Sequence, residues 1–138
     1  MSLRWNKITR LRRKIDTFLI EWKNDKNKLP LIVKGTIYEN IISDMLVKKG
    51  YDLFFYKSEK GNIEMDFFIR DRNSLIPVEV KANDNSTISL NYLIESNKYK
   101  DIKYGIKLCN KNIGFNGKFY TFPYFMTFLL KRYLRETK

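Results

Sequence analysis

Apolar and polar positions along the chain change period several times, and each change predicts an element. Residues 4 to 24 place Trp5, Ile8, Leu11, Ile15, Phe18, Leu19 and Trp22 at three- and four-residue steps, with Arg10, Arg12, Arg13 and Lys14 between them. This spacing predicts an amphipathic helix with a basic back. A polar connector over residues 24–28 follows, and Leu29-Pro30-Leu31-Ile32-Val33 reads as a short strand ending near Gly35. Thr36 stands three residues before Glu39, the spacing of a capping box. Ile37, Ile41, Ile42, Met45 and Leu46 then form an apolar stripe that predicts a helix up to Gly50.

Beyond Gly50 the period falls to two. Strands are predicted over 51–56, 63–70 and 75–82, with turns at 57–62 and at Asp71-Arg72-Asn73-Ser74. Pro77 argues for an edge or an early position in its strand, because proline donates no ladder hydrogen bond. A helix over 90–99, a strand over 104–109, a short strand over 119–122 and a closing helix over 124–135 complete the reading. The order of elements predicts an α/β fold: a mixed sheet of four or five strands flanked by helices, plus the amino-terminal amphipathic helix.

The pattern inside the central hairpin introduces candidate chemistry. With a two-residue loop at Arg72-Asn73, Asp71 faces Ser74, Asp66 falls opposite Glu79, and Glu64 falls opposite Lys81. Opposed residues share a face of the sheet with Cβ atoms roughly 4.5–5.5 Å apart. Ile63, Met65, Phe67 and Ile69 then point to the other face with Val78 and Val80. Like charges opposed this closely destabilise a sheet unless something offsets them, and a divalent cation is the simplest offset. Oxygen ligands without Cys or His select Mg²⁺ or Mn²⁺. Asp66 and Glu79, with Glu64, are the candidate ligands, and Lys81 is placed to orient an attacking water. The competing reading is a solvated sheet face with Glu64 and Lys81 as an ordinary cross-strand ion pair.

Charge changes the picture in the same direction. Lysine and arginine total 27 against 15 acidic residues, with no histidine, for a formal charge of +12. Residues 1–34 hold ten basic and three acidic residues, so the front quarter carries more than half of the excess. Polyanions are the natural partners. At 138 residues the chain is sized for one compact core. Cys109 is the single cysteine, which excludes an internal disulfide and a Cys/His zinc site, and it is expected to be a buried apolar residue. No apolar run approaches the roughly 20 residues of a membrane span, so no membrane partner and a cytoplasmic setting are expected. Met1-Ser2-Leu3 reads as a leader without structural meaning.

A helix acid, an Asp in the second strand and an E-x-K in the third resemble the PD-(D/E)XK nuclease superfamily. Glu39, Asp66, Glu79 and Lys81 occupy those places, although Glu39 is equally the capping-box partner of Thr36. The resemblance implies a restriction-endonuclease-like core, a magnesium-dependent hydrolysis of phosphodiester bonds in DNA, less readily RNA, and catalytic roles for these four residues. Tyr38-Glu39-Asn40, Glu64-Met65-Asp66-Phe67, Ile76 to Ala82 and Phe122 to Met126 are more narrowly similar to a C-terminal domain that follows AAA-type ATPases in bacteria and archaea. Residues 15–35 resemble the start of that ATPase, but no G-x-x-x-x-G-K-[ST] follows Gly35, so no ATP binding is expected. The division expected is a basic front segment over 1–35 and the nuclease-like domain over 36–138. The alternative is a noncatalytic nucleic-acid-binding or protein-interaction module. The tryptophan-bearing first helix could seal its own core or pair two chains as a homodimer.

Overall fold

A computed structural model describes the backbone of residues 3–4, 29–82 and 87–136, with side chains over 35–82 and 87–136. The helix expected over residues 4–24 and the connector after it lie outside the described residues, apart from Arg4. The described residues form an α/β structure around one mixed sheet.

The chain order is β1 (Leu3–Arg4), α1 (Leu29–Lys48), β2 (Phe54–Lys57), β3 (Glu64–Asp71), β4 (Ser74–Val80), α2 (Ile88–Glu95), β5 (Gly105–Cys109), β6 (Gly114–Phe115) and β7 (Phe119–Pro123). A 3₁₀ turn (Tyr124–Phe128) and α3 (Leu130–Glu136) follow. Among the described residues the sheet order is β1-β2-β3-β4-β5-β7-β6, seven strands rather than the four or five expected, the additions being the two-residue strands β1 and β6. Leu3 pairs with Phe55 and Arg4 with Phe54, so these two residues add to the edge of the sheet. Strands β1 to β4 are antiparallel neighbours; β5 joins β4 in parallel and β7 joins β5 in parallel. The helix α2 makes the crossover that a parallel β4–β5 pair requires.

Several sequence expectations change in the folded chain. The strand expected over 29–33 is the start of α1, which runs unbroken through Gly35 and Thr36 to Lys48. Pro30 sits in the first turn, where its missing N–H has no helical partner to lose. Thr36 is consequently inside the helix and is not its N-cap, so Glu39 has no capping box to complete. Of the expected stripe, Ile42 and Leu46 are buried, whereas Ile37 and Ile41 are exposed. Pro77 is not at an edge: β4 lies between β3 and β5, and Pro77 stands opposite Phe68. The residues after Pro123 divide into the 3₁₀ turn and α3 instead of one helix.

Burial on both faces of the sheet explains why its central strands read as near-continuous apolar runs. One cluster joins Phe67, Ile69, Ile76, Val78, Val80, Ile106 and Leu108 to Ile42 and Leu46 of α1 and to Leu130 and Leu134 of α3. The other joins Ile63, Met65, Phe68 and Leu75 to Leu90 and Leu93 of α2. Met65 and Phe67 therefore do not share a face, contrary to strict alternation. The β2–β3 register slips between the Phe54–Phe68 and Tyr56–Met65 pairs, and a bulge of this kind places one extra residue in β3. Cys109 is fully buried, as its sequence context implies.

Candidate functional site

Where the β3–β4 hairpin opens, away from its turn, its backbone ladder gives way to side chains. From the turn the register runs Asp71–Ser74, Arg70–Leu75, Ile69–Ile76, Phe68–Pro77 and Phe67–Val78, as the two-residue loop predicts. The Phe67–Val78 pair is the last of that ladder. Asp66 is not opposed to Glu79 across it; the Asp66 carboxylate instead accepts the Val80 N–H through Oδ2 at 2.9 Å. The bulge in β3 is the physical reason, since it ends regular pairing where Asp66 begins. Glu64 likewise does not oppose Lys81 in the ladder, and stands opposite Lys57 of β2.

Lys81, the residue after β4, pairs with Glu79 of that strand: Nζ lies 3.0 Å from Oε1. Alternation along β4 turns Glu79 to the face opposite Val78 and Val80. Parallel pairing sets Glu79 against Lys107 of β5, which is equally buried between Ile106 and Leu108. Glu79 is 6% exposed, and its second oxygen, Oε2, is buried with no hydrogen-bond partner among the described residues. Burial pushes its carboxyl pKa above the ordinary value of 4.5; the Lys81 charge and hydrogen bond oppose the rise, Asp66 adds to it, and Lys107 opposes it. An acceptor oxygen held dry and unpaired favours a proton or a cation. The Lys81 side chain is 28% exposed against 7% for that of Glu79, so the lysine is the more open partner of the pair.

Tyrosines lock the far side of Lys81. Tyr124 donates its hydroxyl to the Lys81 carbonyl, and its ring stacks on Tyr38 of α1 with centroids 4.5 Å apart. Burial pushes the Tyr124 phenol up to about 12, with smaller contributions from Tyr38 and Cys109, so it remains a donor at any ordinary pH. Glu39 is the next residue after Tyr38 and is half-buried on α1. The helix turn bearing Glu39 is thus tied to the end of β4 through Tyr38 and Tyr124.

The structure brings Asp66, Glu79 and Lys81 to one end of the hairpin and ties the Glu39 turn to the same strand end. Among the described residues, no group of three or more His, Cys, Asp or Glu side chains is close enough to hold a metal ion. Glu79, with its bare Oε2, and Asp66, with Oδ2 already taken by Val80, are the oxygens best placed to hold one. Sequence reasoning missed Lys107, Tyr38 and Tyr124. Lys107 carried a signal, since a lysine between Ile106 and Leu108 in a short apolar strand calls for a buried acid. The tyrosines lay in segments that carry the resemblance, but nothing local showed their contacts, which span 43 residues for Tyr124 and Lys81, and 86 positions for Tyr38 and Tyr124.

Comparison with known proteins places this site in a family. Residues 34–125 match a domain of unknown function, DUF4143, and the chain belongs to that family. The match contains Glu39, Asp66, Glu79 and Lys81. A search of curated proteins finds no match.

Proposed function

We propose that this domain is a metal-dependent nuclease that hydrolyses phosphodiester bonds in DNA, with RNA a poorer substrate. The observation that carries the proposal is the Glu79–Lys81 pair beside Asp66, with Glu79 Oε2 buried and unpartnered. Asp66 and Glu79 would hold Mg²⁺ or Mn²⁺, with Glu64 and Glu39 as further acids at the site's margin. The cation, when bound, would supply Lewis-acid stabilisation of the phosphoryl oxygens.

The protein's own groups do the remaining work. Lys81 orients a water against the phosphorus and offsets the negative charge that develops there. Its exposure allows it to exchange Glu79 for a substrate phosphate oxygen. Tyr124 fixes the Lys81 backbone, so the ammonium group swings from an anchored Cα. Lys107 stands behind Glu79 and limits the cost of keeping that carboxylate ionised. The basic excess of the chain draws the polyanion in and accelerates encounter.

The test is incubation of the purified protein with linear, circular and single-stranded DNA in Mg²⁺ or Mn²⁺. Cleavage should fall at least about 100-fold in Lys81→Ala and in Asp66→Ala, in line with loss of a transition-state donor or a ligand. Cleavage persisting in both variants would overturn the assignment.

A second reading, a noncatalytic nucleic-acid-binding module, is favoured by one observation: Asp66 Oδ2 and Glu79 Oε1 are both engaged by protein donors. Salt-dependent DNA binding without cleavage, unchanged by removing the acids, would select it.

A further inference from the structure

On the α2 face of the same sheet, a concavity of about 810 Å³ opens beside β2. Its walls combine two kinds of side chain. Tyr56, Tyr92 and Tyr99 supply rings, and Lys57, Lys60 and Lys98 supply cations, against Glu59 as the carboxylate of the lining. The rings are arranged as a floor and a wing. Tyr56 and Tyr99 meet edge to face at 6.1 Å with their hydroxyls 2.9 Å apart, which holds both rings fixed. Tyr92, on α2, is 48% exposed and presents its ring to solvent. Lys98 lies with Nζ 5.5 Å from the Tyr99 ring centre, so cation and ring already share one surface.

The location relates this pocket to the candidate site. Lys57 pairs with Glu64 at the open end of β3, the end at which Asp66 bonds Val80. Tyr56, Ile63 and Tyr99 belong to the cluster that includes Leu75, and Glu79 shares the Leu75 face of β4. The Lys57 side of the pocket therefore lies on the same face and toward the same end of the sheet as the Glu79–Lys81 pair, two strands apart, while Lys98 and Tyr99 lie toward the hairpin turn, where the Leu75 N–H donates to the Asp101 carbonyl. Two strand spacings are about 10 Å, between the spans of one and two extended nucleotides.

We propose that this pocket is a subsite for single-stranded nucleic acid, in which a base stacks on Tyr92 over the Tyr56–Tyr99 floor while Lys57, Lys60 and Lys98 hold the adjoining phosphates. Aromatic faces accept any base and lysines accept any phosphate, so the subsite is sequence-tolerant. An acidic peptide would satisfy the lysines but leave the rings without a planar partner, which is why nucleic acid is the better fit. The inference rests on the nucleic-acid reading above, and it assigns a path by which a strand would run from the pocket toward Lys81.

The experiment is fluorescence anisotropy with a labelled 12-nucleotide oligothymidylate and an abasic oligomer of equal length. It is run in EDTA on a Glu79→Gln background so that cleavage is not read. Tyr92→Ala should weaken the base-bearing strand about tenfold and leave the abasic strand within about twofold. Replacing Lys57, Lys60 and Lys98 together by Gln should weaken both strands and reduce the slope of log affinity against log salt by about 2. Circular-dichroism melts within a few degrees of the parent establish that these exposed substitutions leave the fold intact. Equal effects of Tyr92→Ala on both strands, no effect on either, an unchanged salt slope, or polyglutamate binding as tightly as the oligonucleotide would each overturn the proposal. A wild-type chain that binds as described yet cuts nothing defeats the nuclease reading and leaves this subsite standing. A chain that cuts while the pocket variants bind like the parent defeats the subsite alone.

Discussion

The two ends of the β3–β4 hairpin are built by the same two strands and do opposite things. At the turn end every position from Phe67 to Asp71 has a ladder partner, and Ile69 and Ile76 face each other in the core. At the open end the ladder stops, a carboxylate replaces a backbone carbonyl as the acceptor for Val80, and an acid is buried with one oxygen bare. Backbone pairing is self-sufficient and leaves nothing for a ligand. Side chains that substitute for it bring charge to the same spot, at a cost in stability that a ligand can recover.

The contrast can be broken at several points. The largest effect is expected at the closed end: Ile76→Ala should lower unfolding free energy by about 2–5 kcal/mol, because it empties a fully buried site between two packed layers. Urea titration reads it, and a loss no greater than at the open end would erase the distinction drawn between them. Asp66→Ala should cost about 1–3 kcal/mol by leaving the Val80 N–H without its acceptor. Asp66→Asn, which keeps an acceptor, should recover most of that stability while still failing to support metal-dependent cleavage.

Glu79 gives a pH signature. Its folded pKa is raised, so the folded state holds this proton more tightly than the unfolded chain. Its contribution to stability is present below the ordinary pKa of 4.5 and is lost as pH rises through the folded value. Glu79→Gln should therefore melt like the wild type at acidic pH and gain on it as pH rises. Thermal melts across pH 4 to 8 would show this gap opening, and a gap that closes with rising pH would contradict the assigned burial. Mg²⁺ should raise the melting temperature of the wild type near neutral pH and not that of Glu79→Gln.

The smallest effect sits in the turn itself. Arg72 has φ of 54°, a left-handed conformation that costs a side-chain-bearing residue about 1–2 kcal/mol. Arg72→Gly removes that strain but gives the unfolded chain more freedom, so a net gain of about 0.5 kcal/mol is expected. Chemical denaturation of the pair would measure it, and destabilisation would mean that the Arg72 side chain holds the turn by contacts of its own.

Period and punctuation in the sequence determined the order of elements from β2 to β5, the two-residue loop at Arg72-Asn73 and its register, and the alternation that turns Glu79 to the face opposite Val78 and Val80. These are local properties, set by steric preferences and side-chain alternation within a few residues. The strand expected over 29–33 could not be resolved locally, since Leu31, Ile32 and Val33 fit either state; the continuous α1 helix whose later turns bury Ile42 and Leu46 decided it. Tertiary structure alone decided that Asp66 caps Val80 rather than opposing Glu79, because a bulge depends on pairing with β2. It also decided that Lys107 stands behind Glu79 and that Tyr124 anchors Lys81, since parallel crossover and chain closure unite residues dozens of positions apart. Sequence named the acid and the lysine; only the fold made one of them dry and left the other at the surface.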